Sequence, residues 1–407
     1  MPSQAFFAGT GQSGRIAHAP APPSALPQML IPVQTADFTL PHYPFQPLPA
    51  PNGPAPYRFA LSELLSAADV AEIEKSGTMV VHTVGDTGDY RGQQQDFVAA
   101  MMTADAEALP AGRKPAFFYH LGDVIYFAGD IDKYGDNFYA TYQYYPGFIV
   151  AIPGNHDCQP DDPQDGPVDP NKVPLDGWVK NFMSKDATTP GSLKTGAART
   201  QMDLPNVYWT FTTPVATFIG LFSNVGESQG EFHQDQIDWF RAELAAADAD
   251  LALIVAVHHP PFSGDTEHSG SSVVYQVLFD AFAATGRYPT LILSGHVHNY
   301  QRFTHEVSAK QIPCIVAGAG GYTHLGRLHK LQGGYPSAPL ELGTGLTLEQ
   351  YDQDDFGFLR LEITKEKVTG RYFAAPYQAG ATPSGNAIDA FEIAVNGFKV
   401  TTIPTGG

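Results

Sequence analysis

Short apolar runs alternate with helical patterns along most of the chain. Runs of this length suit strands that are buried on both faces, and they span residues 78–84, 116–121, 148–152, 217–223, 251–257, 290–294 and 314–318. Apolar positions at helical spacing predict helices between them, over 93–109, 231–247 and 272–285. This alternation of strands and helices predicts a layered α/β fold.

The two ends of the chain have different patterns. Residues 1 to about 56 are rich in Pro, Ala and Gly and predict an extended arm, while residues 57–75 predict one short helix with Ser66 as its cap. Near the C-terminus, residues 356–375 alternate as a β-hairpin does, and residues 391–402 predict another.

Two long segments interrupt the α/β pattern and are predicted to be loops. Residues 158–203 are rich in Pro, Asp and Gly, and residues 319–352 are rich in Gly and Leu. Loops of such length are usually functional or disordered. We expect the first of them to overhang the functional cleft.

Composition and net charge limit which classes of molecule the protein is expected to bind. The 407 residues include 42 acidic and 23 Lys or Arg side chains, which gives a formal net charge of −19. So acidic a surface disfavours nucleic acid, although local cations can still attract a phosphate group. The two cysteines, Cys158 and Cys314, cannot form a disulfide framework.

The sequence also bears on membranes and location. No apolar run reaches the length of a transmembrane helix, so no membrane partner is expected. No standard signal peptide is visible either, which favours a cytoplasmic location, with a periplasmic or secreted one as the alternative.

Five of the apolar runs end in Asp, Asn or His, and four of these ends are introduced by glycine. Ligands of open α/β sheets bind outside the carboxyl ends of strands, and glycine lets the backbone approach an ion closely. The five ends therefore predict a metal centre; in chain order they read GDTGD (85–89), GDVIY (122–126), PGNHD (153–157), HHPP (258–261) and GHVHN (295–299).

The residue types indicate which metals suit the site. Carboxylate, amide and imidazole groups bind first-row divalent ions and ferric iron, whereas a structural zinc or iron–sulfur site would need thiolates. Two ions held about 3.5–4 Å apart can clamp a phosphate ester and activate water. A lone Gly-Asp after a strand is usually just a turn, and each of the other motifs alone fits an Asx-turn or a capped loop, so the prediction depends on their conjunction.

The five motifs together resemble those of the calcineurin-like metallophosphoesterases, and more narrowly the purple acid phosphatase branch. Most of that superfamily has a ligand His two residues after the first Asp, where this chain has Gly88. The branch supplies a tyrosine in the second motif instead, and Tyr126 follows Asp123 by three residues.

The resemblance covers about residues 78–375 and implies a fold and a domain organisation. The fold would be a two-sheet β-sandwich flanked by helices, with four layers in the order αββα. We expect an N-terminal arm with a short helix over 1–75 and a catalytic domain over 76–407, in which 158–203 is a long loop insertion.

The resemblance also implies two metal ions. The first would be Fe(III), which a phenolate favours, and the second Fe, Zn or Mn. Asp86, Tyr126 and His298 would hold the first ion. Asn155, His258 and His296 would hold the second, and the carboxylate of Asp123 would bridge both.

Further residues would face the substrate. His156 would contact the phosphate, and His268, ten residues after His258, would donate a proton to the leaving group. Asp157 would either orient His156 or cap a helix. His259 would either line the site or pack beside it.

The function implied is hydrolysis of a small-molecule phosphate monoester by a hydroxide held on the metal pair. The alternative is a phosphodiesterase of the same superfamily, since His-His-Pro-Pro also occurs in such enzymes. A Ser/Thr protein phosphatase is disfavoured because Cys158 stands where that group has Arg. A non-catalytic binding protein without metals is disfavoured because every ligand position is filled. The oligomeric state stays open.

Overall fold

The computed structural model describes residues 48–88, 93–159, 172–185, 199, 202–224, 231–331, 333–343, 345–380 and 385–406. Within these ranges the chain forms two β-sheets. In spatial order the nine-stranded sheet consists of β1 (Arg58–Ala60), β5 (Trp209–Thr212), β6 (Ala216–Leu221), β7 (Ala252–Val257), β8 (Leu291–Ser294), β10 (Lys310–Ala317), β9 (Tyr300–Val307), β12 (Leu346–Asp352) and β11 (Leu340–Glu341).

The second sheet has seven strands in the described part of the chain. In spatial order they are β16 (Val400–Thr402), β15 (Asn386–Ala394), β14 (Lys367–Ala375), β13 (Phe356–Ile363), β2 (Met79–Val84), β3 (Pro115–His120) and β4 (Phe148–Ala151). Strands β2, β3 and β4 are mutually parallel, as are β6, β7 and β8 in the other sheet. The strands β13–β16 form antiparallel pairs, which confirms both predicted C-terminal hairpins.

The helices of the described ranges include those that the sequence predicts. They are α1 (Ala67–Ser76), α2 (Gln94–Ala108), α3 (Asp176–Phe182), α4 (Gln234–Ala246) and α5 (Ser272–Thr285). Ser66 caps α1 as predicted: its side chain accepts a hydrogen bond from the amide of Asp69. Shorter helical turns cover Leu61–Glu63, Ala111–Arg113, Ile131–Lys133, Gly135–Ala140 and His156–Cys158.

The two sheets pack face to face around an aromatic core. The ring of Phe117 in β3 lies 5.1 Å from Phe211 and 5.4 Å from Phe218, which belong to the other sheet. Tyr119 contacts Trp209 across the same interface, with ring centroids 5.5 Å apart. Continuous burial of such large rings is what the apolar runs predict, and it holds the sandwich together.

Helices cover the outer faces of both sheets. On the nine-stranded sheet, apolar side chains of α4 and α5, among them Phe240 and Phe282, join one core cluster with Val255 of β7. On the seven-stranded sheet, Asp105 of α2 bonds to His82 of β2 at 2.9 Å. The two-sheet α/β sandwich flanked by helices is thus confirmed.

Some elements were not predicted. The segment 319–352 contains β11 and β12 in addition to loop, and 158–203 contains α3, so neither is loop throughout. Much of 158–203 lies outside the described residues, as does the overhang predicted for it. Strand β9 was also missed, because its polar residues Gln301 and Arg302 are buried.

The N-terminal region is joined to the sandwich through strand β1 and through hydrogen bonds of the residues just before it, such as the one from Nε1 of Trp239 in α4 to the carbonyl of Pro56 at 2.7 Å. Strand β1 pairs in parallel with β5 at the edge of the nine-stranded sheet. Arg58 strengthens this edge through two hydrogen bonds to Glu243 of α4, at 2.7 and 2.9 Å. The arm predicted for residues 1 to about 56 lies almost wholly outside the described residues, and the domain boundary at 75 stays a prediction.

Candidate metal centre

The five polar strand ends meet at one edge of the sandwich. Strands β2, β3 and β4 of one sheet and β7 and β8 of the other bring their carboxyl ends together. The contact between the sheets is direct, because His258 donates from Nδ1 to the carbonyl of Leu121 at 2.8 Å. The amide of His296 donates to both carboxylate oxygens of Asp86, at 3.0 and 2.8 Å.

One group of predicted ligands surrounds the phenol of Tyr126. Its oxygen lies 3.1 Å from Oδ1 of Asp86, 2.9 Å from Oδ2 of Asp123 and 3.1 Å from Nε2 of His298. All four side chains are largely or completely buried. Four potential donor atoms therefore face one small volume.

A second group surrounds the amide oxygen of Asn155. This Oδ1 lies 3.1 Å from Nε2 of His258 and 2.9 Å from Nδ1 of His296. Oδ2 of Asp123 is 3.3 Å from Nε2 of His258, so the carboxylate that contacts Tyr126 also contacts this group. Ligand atoms of Asp123, His258 and His296 all lie within 4.8 Å of one another.

The backbone at these positions is strained in a way that functional sites often are. Asp86, Asp123 and His296 have φ angles of 57°, 53° and 68°. A non-glycine residue in this left-handed region costs on the order of 1–3 kcal/mol and persists only where its surroundings impose it. The conformation turns all three side chains into the cluster at the ends of their strands.

Glycine before or between the ligands is required by close packing. A Cβ atom on Gly295 would lie 2.6 Å from Oδ2 of Asp86. A Cβ atom on Gly154 would overlap the carboxylate and the backbone amide of Asp123. Side chains at these two positions would push the carboxylates out of the cluster.

Burial and neighbouring imidazoles shift the pKa values of the acidic groups in the cluster. Burial raises the pKa of Asp86 well above its ordinary value, and also raises that of the Tyr126 phenol. Burial acts in the same direction on Asp123, but the nearby His258 and His156 outweigh it and lower the pKa of that carboxyl. Several buried oxygen donors so close together need positive charge nearby.

The pKa values of the imidazoles shift in different directions: those of His296 and His298 fall, and that of His258 rises. Burial lowers the pKa of His296 and His298 well below the ordinary value, so both are neutral and able to ligate a metal. Burial also acts to lower the pKa of His258, but the Asp123 carboxylate overcomes it and raises that pKa to about 9. The side chains of Asp123 and His258 thus shift each other's pKa through direct contact.

Two further histidines lie against this cluster. The ring of His156 is 4.4 Å from that of Tyr126, and its Nδ1 donates to the carbonyl of Phe127 at 2.6 Å. The ring of His268 lies 4.7 Å from His296 and 5.2 Å from His298. Burial, and secondly the charge of His156, lower the pKa of His268 to about 4.

Asp157 binds backbone amides. Its Oδ1 accepts from the amide of Val124 at 2.9 Å and its Oδ2 from that of Gly154 at 2.8 Å. Burial raises the pKa of this carboxyl to about 7. Because Phe127 and not Asp157 holds the imidazole of His156, the carboxylate positions the second and third motif loops.

His259 packs beside the cluster. Its ring lies 4.3 Å from that of His296, and its Nδ1 is 2.8 Å from the hydroxyl of Ser223. The side chain is buried. These contacts favour the packing alternative over a role in lining the site.

Tyr322 completes one wall of the site and is not predicted from the sequence. Its ring lies 4.3 Å from both Tyr126 and His298, and 5.8 Å from Phe127. It is half-buried, and burial raises the pKa of its phenol to about 12. The residue follows a glycine run after β10, where no spacing marks it as part of the site.

The chain belongs to the calcineurin-like phosphoesterases, whose family model matches residues 79–300, more than half of the chain. The match begins at β2 and ends just beyond the GHVHN motif, so it contains all five strand ends.

The curated proteins that this chain resembles include two plant purple acid phosphatases. Purple acid phosphatase 21 of Arabidopsis thaliana is 27% identical over 143 residues, which are 34% of this chain and 30% of that protein. Purple acid phosphatase 22 of the same plant is 27% identical over 122 residues, 28% of this chain and 27% of the relative. The match thus covers less than a third of the length of either relative.

Solved structures share the fold. The structure of PhoD has a TM-score of 0.52 at 12% identity and covers 81% of this chain and 72% of its own. GAP50, the anchor in the inner membrane complex of Plasmodium, has a TM-score of 0.51 at 14% identity, and the match covers 76% of this chain and 88% of GAP50.

In the described ranges of the present chain, none of the helices combines the length and apolarity needed to cross a bilayer.

Proposed function

We propose that this chain hydrolyses phosphate monoesters at a centre of two metal ions. One observation carries the proposal: two groups of buried donor atoms, one around Tyr126 and one around Asn155, share the carboxylate of Asp123. A shared carboxylate between two donor groups is the arrangement that holds two ions a few ångströms apart.

The donor set fits such ions. Asp86, Tyr126 and His298 would hold the first, Asn155, His258 and His296 the second, and Asp123 would bridge them. Oxygen and imidazole donors suit Fe, Zn and Mn. Bound there, the ions would offset the buried acidic groups, neutralise the phosphate and lower the pKa of water.

Tyr126 supports the purple acid phosphatase branch and Fe(III) at the first position. Its phenol oxygen is buried within 3.1 Å of two carboxylates and one imidazole, where an iron ion would displace the phenolic proton. The names of the two plant relatives support the branch. The second ion would be Fe, Zn or Mn.

The chain's own residues would bind and orient the ester. The bond from Nδ1 of His156 to Phe127 fixes the imidazole beside Tyr126, so that its other nitrogen can contact a phosphate oxygen. His268 lies over His296 and His298, where it would donate a proton to the departing oxygen. A phosphate dianion beside His268 would raise the pKa of that imidazole and favour the proton-bearing form.

The net charge supports a small ester as substrate. A chain of formal charge −19 repels polyanions, while a compact phosphate group could reach the buried side chains that would hold the metals. The closest rival is a phosphodiesterase of the same family, which would use the same ligands.

A comparison of two chromogenic substrates tests the proposal. Metal-loaded protein should hydrolyse p-nitrophenyl phosphate faster than bis(p-nitrophenyl) phosphate, and Asp86→Ala or Asn155→Ala should abolish turnover of both. Faster hydrolysis of the bis-ester would favour the phosphodiesterase, and near-full turnover by either variant would refute the ligand assignment.

A further inference from the structure

The loop that carries His268 is held from beneath by one buried carboxylate. Oδ1 of Asp265 accepts hydrogen bonds from the amides of Glu267 and His268, at 2.8 and 3.0 Å. Asp265 is 1% exposed, so it cannot contact a substrate. Its carboxylate closes the turn that presents the imidazole of His268.

The other oxygen of the same carboxylate reaches the loop that carries two of the proposed metal ligands. Oδ2 of Asp265 accepts from Nδ2 of Asn299 at 3.1 Å. Asn299 directly follows His298, and the same Nδ2 also donates to the carbonyl of Gly326 at 3.2 Å. The amide of Gly326 in turn donates to the carbonyl of His298 at 2.9 Å.

Buried neighbours fix this connection on both sides. The hydroxyl of Ser263 donates to the carbonyl of His268 at 2.7 Å and accepts from the amide of Asp265 at 3.1 Å. Nε2 of Gln301 donates to Oδ1 of Asn299 at 2.9 Å, and its Oε1 accepts from the amide of Gly264 at 2.7 Å. A buried network whose members are bonded in this way has one geometry, because each broken bond would leave a polar group without compensation.

We propose that Asp265 is a positioning residue whose carboxylate holds the His268 loop against the loop of His296 and His298, so that the imidazole of His268 faces the leaving group of the ester. This inference rests on the proposed function. The inference adds that proton donation to the leaving group depends on Asp265, a residue outside the five motifs.

Substrates with different leaving groups distinguish a loss of His268 positioning from a general loss of activity. An alkyl phosphate needs a proton on its departing oxygen, whereas p-nitrophenolate departs without one. Loss of a positioned acid typically costs about 10²–10⁴-fold in rate where the proton is needed. His268→Ala should therefore lose activity mainly toward the alkyl ester.

Asp265→Asn should reproduce that selectivity. The new amide keeps one oxygen for the backbone amides but turns an NH₂ group toward Asn299, so the link between the loops is lost. We expect kcat to fall at least about tenfold on the alkyl ester and less than about threefold on the p-nitrophenyl ester. The double variant Asp265→Asn/His268→Ala should lose no more than His268→Ala alone.

A second readout needs neither metal nor activity. Amide hydrogen exchange at Glu267 and His268 should be faster in Asp265→Ala, which removes the acceptor of both amides, and unchanged in Glu243→Ala. Glu243 is a matched control, since its buried carboxylate bonds to Arg58 and Thr210.

The outcomes separate the two proposals. Equal loss on both esters, a double variant that loses more than His268→Ala alone, or unchanged amide exchange would each overturn the role of Asp265. If the metal-loaded wild type hydrolyses neither ester, the proposed function fails and takes the proton-donor role with it. Amide exchange would then still show whether Asp265 holds the loop.

Discussion

Oδ2 of Asp123 lies 2.9 Å from the phenolic oxygen of Tyr126, three residues further along the chain. The same oxygen lies 3.3 Å from Nε2 of His258, which extends from the other sheet. One carboxylate thus joins the two donor groups. Because Asp123 has a φ of 53°, its side chain is directed by a backbone conformation that few residues adopt.

Replacing Tyr126 tests the iron assignment. In iron-loaded protein, Tyr126→Phe should lose the visible absorption band while some hydrolysis remains, because the phenylalanine cannot form a phenolate. Tyr322→Phe is the control, since that ring lies 4.3 Å from Tyr126 but is not among the proposed ligands. An iron-loaded wild type without a visible band, or a band that survives in Tyr126→Phe, would rule out the phenolate–iron assignment.

A methyl group at Gly154 tests whether close packing shapes the site. In Gly154→Ala the new Cβ would overlap the Asp123 carboxylate. We expect metal content to fall and the free energy of unfolding to drop by about 1–3 kcal/mol, as overpacking typically costs. Gly334→Ala, where nothing lies within 4 Å of the new atom, should change neither quantity. Full metal occupancy in Gly154→Ala would contradict the packing argument.

Asp157→Asn separates a positioning role from a catalytic one. The carboxylate accepts from the amides of Val124 and Gly154, and an asparagine can satisfy only one side. We expect denaturant unfolding to show a loss of about 1–3 kcal/mol, the cost of an unsatisfied buried group. If stability is unchanged while kcat falls sharply, Asp157 acts on the substrate directly.

A buried ion pair that joins the two sheets predicts a stability effect. Arg302 of β9 bonds to Asp389 of β15 at 2.7 and 3.0 Å, and both are nearly inaccessible. Asp389→Ala should cost about 3–5 kcal/mol because it leaves the guanidinium unpaired in the core.

The exposed pair of Lys367 and Glu392 provides the comparison. Glu392→Ala should cost less than about 1 kcal/mol, as solvent-exposed pairs do. Chemical denaturation of both variants checks the difference. Equal losses would show that the Arg302–Asp389 bond does not contribute as a buried pair.

The sequence predicts the parts of the site that are encoded locally. Asp86, Asn155 and His258 each follow an apolar strand, so their convergence follows from the rule that ligands bind at carboxyl ends of strands. The same runs predict a layered α/β fold, because strands buried on both faces need cover on both sides, whereas the arrangement in two sheets was implied by the family resemblance.

Features that depend on tertiary contacts were not predictable. Tyr322 and Asp265 reach the site through loops whose length and partners carry no periodic signal. Strand β9 was not predicted because an arginine such as Arg302 is usually exposed. It is buried here because it pairs with Asp389, which is 87 residues away in the sequence. The left-handed backbone conformation of His296 is likewise not predictable from the sequence.

Metal stoichiometry tests the central claim most directly. After reconstitution with iron and zinc, elemental analysis should find two ions per chain in the wild type and in the control Glu243→Gln. It should find one ion in Asp86→Ala and in Asn155→Ala, and fewer than one in Asp123→Ala, whose carboxylate serves both donor groups. A wild type that binds no metal, or an Asp123→Ala variant that keeps both ions, would contradict the account.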